Sequence, residues 1–205
     1  MDMIGGAAAV WEGRVGLDSD VARLRRGDVD ALSALISRYQ NRLYRYLLRL
    51  VHHEAEAEDL FQETWMRVAA KIRAFDPNRN FDAWLFTLAH NLAIDHLRRL
   101  RPESLDEPAP GSDSGESLAA RLPSGERPPI ESLLERERFG RLQETMQALP
   151  AAYREVLTLR FEEEMKIEEI AQVLGAPIST VKSRLRRSLE QMRSMLEARY
   201  PGDAP

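Results

Sequence analysis

Apolar positions recur at steps of three or four residues through most of the chain, the spacing of helices that each bury one face. The first long run is Leu32, Leu35, Ile36, Tyr39, Leu43, Tyr46, Leu47 and Leu50, one stripe of a single helix. A second helix is expected from about Glu54 to Arg73. Glu54, Glu56, Glu58 and Asp59 place negative charge where a helix N-terminus favours it, and Phe61, Trp65, Val68 and Ile72 supply its stripe. Asp76-Pro77-Asn78 breaks that helix. A third starts near Phe81, carries Leu85, Leu88, Leu92 and Leu97, and ends in the basic run Arg98, Arg99, Arg101. No segment alternates apolar and polar residues as a half-buried strand does.

Helical spacing resumes with Leu142, Met146 and Leu149. Pro150 suits the first position of the next helix, with Val156, Leu157 and Phe161 following it. Beyond a charged bend, Glu162 to Glu164, the pattern predicts a short helix from Ile167 to Leu174. After Gly175-Ala176-Pro177 comes a long helix carrying Val181, Leu185, Leu189, Met192 and Leu196. This is the layout of a helix-turn-helix. Gly175 can take the left-handed backbone of a sharp turn, Pro177 cannot continue the first helix, and Ser179 suits the cap of the second.

Between these regions, Pro102 to Pro129 is rich in proline, glycine and serine and has little apolar periodicity. The reading is therefore all-α: two small helical domains joined by a flexible linker. Residues 1–17 form an N-terminal extension expected to be disordered, with Trp11 as its one bulky side chain. Residues 18–101 form the first domain, 102–130 the linker, 131–200 the second domain and 201–205 a tail. A length of 205 residues suits two small domains.

The net charge of −4 argues against a nucleic-acid binder until its distribution is considered. Pro102 to Glu135 holds eight acids against Arg121 and Arg127, whereas Asp18 to Arg101 has 14 basic and 12 acidic residues and Arg136 to Tyr200 has 12 and 10. Two mildly basic modules thus flank an acidic middle. Cysteine is absent, which rules out disulfides, thiolate metal sites and thiol switches and suits a reducing cytoplasm. The longest apolar stretches, such as Trp84 to Ala89, are too short to span a bilayer, and Met1 to Val10 lacks the basic start of a signal peptide. A cytoplasmic chain without membrane insertion is expected. His52 and His53 are adjacent and point to different faces, and His90 and His96 share no helical repeat, so no metal site is expected. Without a phosphate-binding glycine loop, nucleophile elbow or acid-base pair, neither an enzyme nor a cofactor is indicated.

The helix from Ser179 leaves Thr180, Lys182, Ser183, Arg184, Arg186 and Arg187 on its outer side. Arginine and lysine can read guanine edges or hold phosphates, and short hydroxyls fill closer contacts, as a helix in the major groove requires. A solvated cationic face would account for the same residues taken alone. The short helix and glycine turn before them favour DNA binding.

Leu149-Pro150 through Val156-Leu157, Ile167-Glu168-Glu169-Ile170-Ala171 and Ser179-Thr180-Val181-Lys182-Ser183-Arg184 together resemble region four of sigma factors. Glu58-Asp59-Leu60-Phe61-Gln62-Glu63-Thr64 resembles the signature of region two. Phe81-Asp82-Ala83-Trp84-Leu85, Ala89-His90-Asn91 and Ile94-Asp95-His96-Leu97-Arg98-Arg99 continue in the family's order. With both motif sets present and only a short linker between them, the chain resembles the extracytoplasmic-function group of the sigma-70 family.

That resemblance implies a protein that binds core RNA polymerase, through the beta-prime clamp helices and the beta flap, and directs it to promoter DNA. It implies that Asp59, Leu60, Gln62 and Glu63 meet the clamp helices, with Phe61 and Trp65 in the core. Phe75, Asn78, Arg79, Asn80 and Asn91 would capture a base flipped from the minus-ten element, and Arg98 and Arg99 would hold phosphates there. Trp84 is either core or a stacking platform. Ser179, Thr180, Lys182, Ser183, Arg184, Arg186 and Arg187 would face the minus-thirty-five element. An anti-sigma factor is implied as a controlling partner. An independent helix-turn-helix regulator and a sigma-like decoy protein are the competing readings. Phe81 to Arg101 speaks against the first and the basic helix face against the second.

Overall fold

The computed structural model describes residues 16–100 and 130–200. Trp11, Arg101, nearly all of the expected linker and the tail lie outside these. Among the described residues every regular element is helical. The chain divides into two compact units, with Glu168–Ala176 counted in the first.

The first unit opens with α1, helical over 16–25, which buries Leu17, Val21 and Leu24. It begins two residues before the expected domain boundary. Asp28 then caps α2 (Val29–Val51), its carboxylate accepting from the Asp30 N–H. A hydrogen bond from the Arg23 guanidinium holds the Asp28 carboxyl below its ordinary range. His52 ends α2 in the left-handed conformation at φ 56°, and His53 caps α3 (Glu54–Lys71). One turn of 3-10 helix, Ile72–Ala74, follows α3. A loop then leads to α4 (Phe81–Leu100), where Asn80 Oδ1 accepts from the Ala83 N–H at 3.4 Å.

Helix α2 packs on α3 and α4, and α3 packs on α4. Leu35, Tyr39, Leu43 and Leu47 of α2 are buried with Ala57, Trp65 and Val68 of α3 and Leu85, Phe86, Ala89 and Leu92 of α4. Each large aliphatic side chain in such a core contributes about 1.5–3 kcal/mol by leaving water.

The later helices are α5 (Ile130–Gln147), α6 (Ala151–Leu157), α7 (Ile167–Leu174) and α8 (Ile178–Arg199). Pro150 is the N-cap of α6 rather than its first helical residue, because its ψ of 143° is still extended. The expected charged bend keeps only its first residue in helix: Thr158–Glu162 extends α6 as a π-turn, closed by the Glu163 N–H donating to the Thr158 carbonyl, and the chain then bends at Glu163 and turns at Glu164, φ 54°. Arg160 Nη1 donates to the Met165 carbonyl at 2.8 Å and braces the segment leading to α7. The π-turn leaves Phe161 60% exposed, so this residue does not extend the apolar stripe of α6 as its spacing suggested.

Helices α5 and α6 pack against α8, around Leu149, Leu157 and Met192. Leu142 and Leu189, expected in the stripes of α5 and α8, are each 42% exposed. Gly175 has φ 57°, the turn conformation that a side chain would strain. Pro177, at ψ 145°, caps α8, so the helix starts at Ile178 and Ser179 is its second residue, not its cap. Among the described residues no helix is long and apolar enough to cross a membrane.

Candidate functional site

Three surfaces carry the chemistry. The first is the outer face of α3. Asp59 and Gln62 are exposed, and Glu63 keeps 46% of its side chain exposed while its Oε1 accepts from Arg67 Nη2 at 2.8 Å. Leu60 does not belong with them. It is 4% exposed, one helical turn from the buried Ala57 and Thr64, and packs inward. Phe61 is half-buried and meets the buried Trp65 ring edge-on at 6.3 Å. Met66 is 71% exposed and follows Asp59, Gln62 and Glu63 at helical spacing, so it is Met66 and not Leu60 that puts an apolar side chain on this face.

The second surface is the loop before α4 together with one stripe of that helix. The Phe75 side chain is buried, 5% exposed, meeting Trp84 at 4.8 Å and Phe81 at 5.7 Å between ring centroids. Phe75 anchors the loop and is no surface contact. Asn78 and Arg79 are exposed, and Asp76 Oδ1 accepts from both the backbone and the side-chain N–H of Asn78 at 3.0 and 3.1 Å. Trp84, Asn91 and Arg98 recur every seven residues along one side of α4, about 10 Å apart. Trp84 is half-buried, while Asn91 and Arg98 are exposed. Arg99 is also exposed and its Nε donates to the Asp95 carbonyl at 3.2 Å. A flat ring, an amide and a cation in one row match what an unstacked strand offers: a base face, a base edge and a phosphate.

The third surface is α8. Val181, Ser188 and Met192 are buried, and Ser179, Lys182, Arg186 and Arg187 are exposed away from them. Arg186 lies 3.5 Å from Glu190. Arg184 falls between Val181 and Ser188 in the helical repeat and is half-buried, so it flanks this face instead of leading it. Thr180 is half-buried too, and the Ser183 hydroxyl donates to the Thr180 carbonyl at 2.9 Å.

Each histidine considered as a metal ligand has a structural place. His52 and His53 end and cap helices, His90 Nδ1 lies 3.3 Å from the Tyr46 hydroxyl, and His96 pairs with Glu56.

Residues 35–103 match the family model for Sigma-70 region 2, and residues 139–192 that for Sigma-70, region 4. The chain is similar to the ECF RNA polymerase sigma factor SigW of Bacillus subtilis, with 31% identity over 177 residues, covering 86% of this chain and 94% of SigW. Among solved structures it resembles CnrH in complex with the cytosolic domain of CnrY, at TM-score 0.60 and 24% identity over 89% of this chain and 98% of that one. It also resembles the sigma factor RpoE in complex with the anti-sigma factor NepR from Bartonella quintana, at TM-score 0.56 and 22% identity over 80% and 96%. The two structures are likenesses of fold.

Proposed function

The chain belongs to the extracytoplasmic-function sigma factors of the sigma-70 family, and from that premise we infer that it binds core RNA polymerase and directs initiation at specific promoters. It is a transcription initiation factor, not an enzyme. The outer face of α3, with Asp59, Gln62, Glu63 and Met66, is the proposed contact with the beta-prime clamp helices, and the later helices are proposed to meet the beta flap. Asn78, Arg79, Asn80, Asn91, Arg98 and Arg99 are proposed to hold the melted minus-ten strand. Ser179, Lys182, Arg186 and Arg187 are proposed to face the minus-thirty-five duplex, with Thr180, Ser183 and Arg184 at its margin. The proposed site of action is the cytoplasm, where a cysteine-free chain loses nothing to reduction.

The observation that supports the strand-capture role most directly is the row Trp84, Asn91, Arg98 on α4. The Trp84 ring also packs on Phe75, but an exposed amide and cation in line with it on a helix separate from α8 are not required for reading duplex DNA alone. A controlling anti-sigma factor is proposed as well, on the pattern of RpoE with NepR. Run-off transcription with purified core polymerase on a promoter library tests the central claim. Sequence-selective transcripts that need this chain are expected. Transcription that is the same with and without it would refute the reading.

A further inference from the structure

The minus-ten loop is ordered by its own contacts. Besides the two bonds that Asp76 makes to Asn78, the Arg79 N–H donates to the Asp76 carbonyl at 3.0 Å. Such a preformed arch points wherever its two ends are held. Phe75 holds one end, through Phe81 and Trp84. The other end is the first turn of α4, and three residues outside the proposed base-capture set converge there.

The Asp82 carboxylate lies 3.3 Å from Arg42 Nη1, and its charge reaches the buried Tyr39 phenol nearby. Tyr39 and Arg42 are three residues apart on α2 and so present their polar ends on the same side. The Arg42 guanidinium also lies over the Tyr39 ring at 5.3 Å and the Phe86 ring at 5.9 Å, and the Tyr39 ring meets Phe81 at 5.7 Å. Tyr39 is 1% exposed and the Asp82 side chain 24%. The depth of α4 is already set by the buried Leu85, Phe86, Ala89 and Leu92. Phe81 and Trp84 seat the first turn against Phe75 and Tyr39, but apolar contact is non-directional and does not by itself fix the turn's finer angle. The Arg42–Asp82 ion pair, with the same guanidinium held over the Tyr39 and Phe86 rings, adds a directional tie from α2 to that turn.

We propose that Tyr39, Arg42 and Asp82 form a bracket that sets the angle at which loop residues 76–80 and Trp84 meet the melted minus-ten strand, making all three positioning residues for strand capture. This rests on the assignment of that loop given above.

The test uses the full chain assembled with core polymerase, carrying Tyr39→Phe, Arg42→Gln, Asp82→Asn or Asp82→Glu. Each holoenzyme is titrated with a fork-junction DNA pool randomised over the single-stranded minus-ten positions, and each free protein is melted. Tyr39→Phe keeps the ring and removes only the hydroxyl. Arg42→Gln and Asp82→Asn, which break the ion pair, are expected to weaken fork-junction binding about tenfold and to flatten the minus-ten preference, with Tyr39→Phe acting in the same direction and less strongly. Affinity for core polymerase and minus-thirty-five preference stay unchanged, and Asp82→Glu recovers part of the loss. Fork-junction affinity that survives, or that falls only in step with core affinity and melting temperature, overturns the bracket. Asn78→Ala and Asn91→Ala run alongside. If they alter minus-ten preference and the bracket variants do not, the bracket alone is refuted; if they leave it unchanged, the loop assignment fails and the bracket falls with it.

Discussion

His96 Nε2 lies 2.9 Å from Glu56 Oε2 and ties the later part of α4 to the first turn of α3. Both side chains keep more than a quarter of their surface, 27% and 28%, so water competes with the contact. Replacing Glu56 by Gln is therefore expected to cost at most about 1 kcal/mol. Urea unfolding of the free protein measures this. A loss several times larger would mean that the pair is a keystone of the first unit.

The outer face of α3, as the proposed polymerase contact, should separate stability from partner binding. Asp59→Lys with Glu63→Lys is expected to weaken the complex with core polymerase while leaving the melting temperature within a few degrees, since exposed charges contribute little to folding. Met66→Ser should act in the same direction, because the side chain is 71% exposed and has little packing to lose. Leu60→Ala, one position from Asp59, should instead lower stability by about 2–5 kcal/mol. Competition against the unaltered factor, paired with melting curves, distinguishes the two classes. Full competition by a folded Asp59/Glu63 double variant would remove this face from the interface.

How much of this was legible beforehand depended on whether periodicity or three-dimensional contact decides a residue's place. Helices α2, α3, α4 and α8 and the glycine turn follow from spacing and turn chemistry alone. Leu60 sits in a charged run and reads as surface, yet its turn-neighbours Ala57 and Thr64 are both fully buried. Thr64 hides the inward side because it is polar, its hydroxyl being satisfied by the Leu60 carbonyl at 2.7 Å. Ser188 on α8 does the same, bonding the Leu185 carbonyl at 2.8 Å while Leu189 beside it is exposed. Phe75 lies in a loop without periodicity, so its burial depends on Phe81 and Trp84 being brought to it. The helix over 16–25 was readable, with Leu17, Val21 and Leu24 at helical steps, but it follows a small-residue extension that masked its start.

The bracket residue Tyr39 gives the protein an alkaline signature. Burial above all, and then the nearby Asp82 charge, pushes its phenol well above the ordinary value of 10.0. The folded state thus holds the Tyr39 proton more tightly than the unfolded chain does. Stability from this group is complete below pH 10 and is lost as pH rises through and beyond that value. Tyr39→Phe cannot ionise at this position, so its unfolding free energy should fall less steeply above pH 10 than that of the unaltered chain. Equal slopes in denaturant titrations would show that the phenol ionises freely in the folded protein.

The two proposed DNA surfaces should fail differently, because duplex reading and strand capture use different chemistry. Lys182 and Arg187 are exposed on α8, and replacing either one that reads a base is expected to cost about 1–3 kcal/mol and relax minus-thirty-five preference. A residue that holds only phosphate should weaken all sequences alike and lower the salt dependence. Arg186 already faces Glu190 at 3.5 Å, so Glu190→Gln should strengthen duplex binding generally by freeing that cation. Asn91 is exposed on α4 and has no place in duplex reading under this scheme, so Asn91→Ala should impair melting and minus-ten preference and leave upstream preference alone. Each holoenzyme is assayed on ordinary promoters and on promoters carrying a mismatched, pre-melted minus-ten segment. The mismatch removes the cost of unpairing but not the need to hold the extruded base. Asn91→Ala is therefore rescued only in part, while Lys182→Ala keeps its upstream defect on both templates. If Asn91→Ala shifts minus-thirty-five preference and spares minus-ten preference, α4 does not capture the strand.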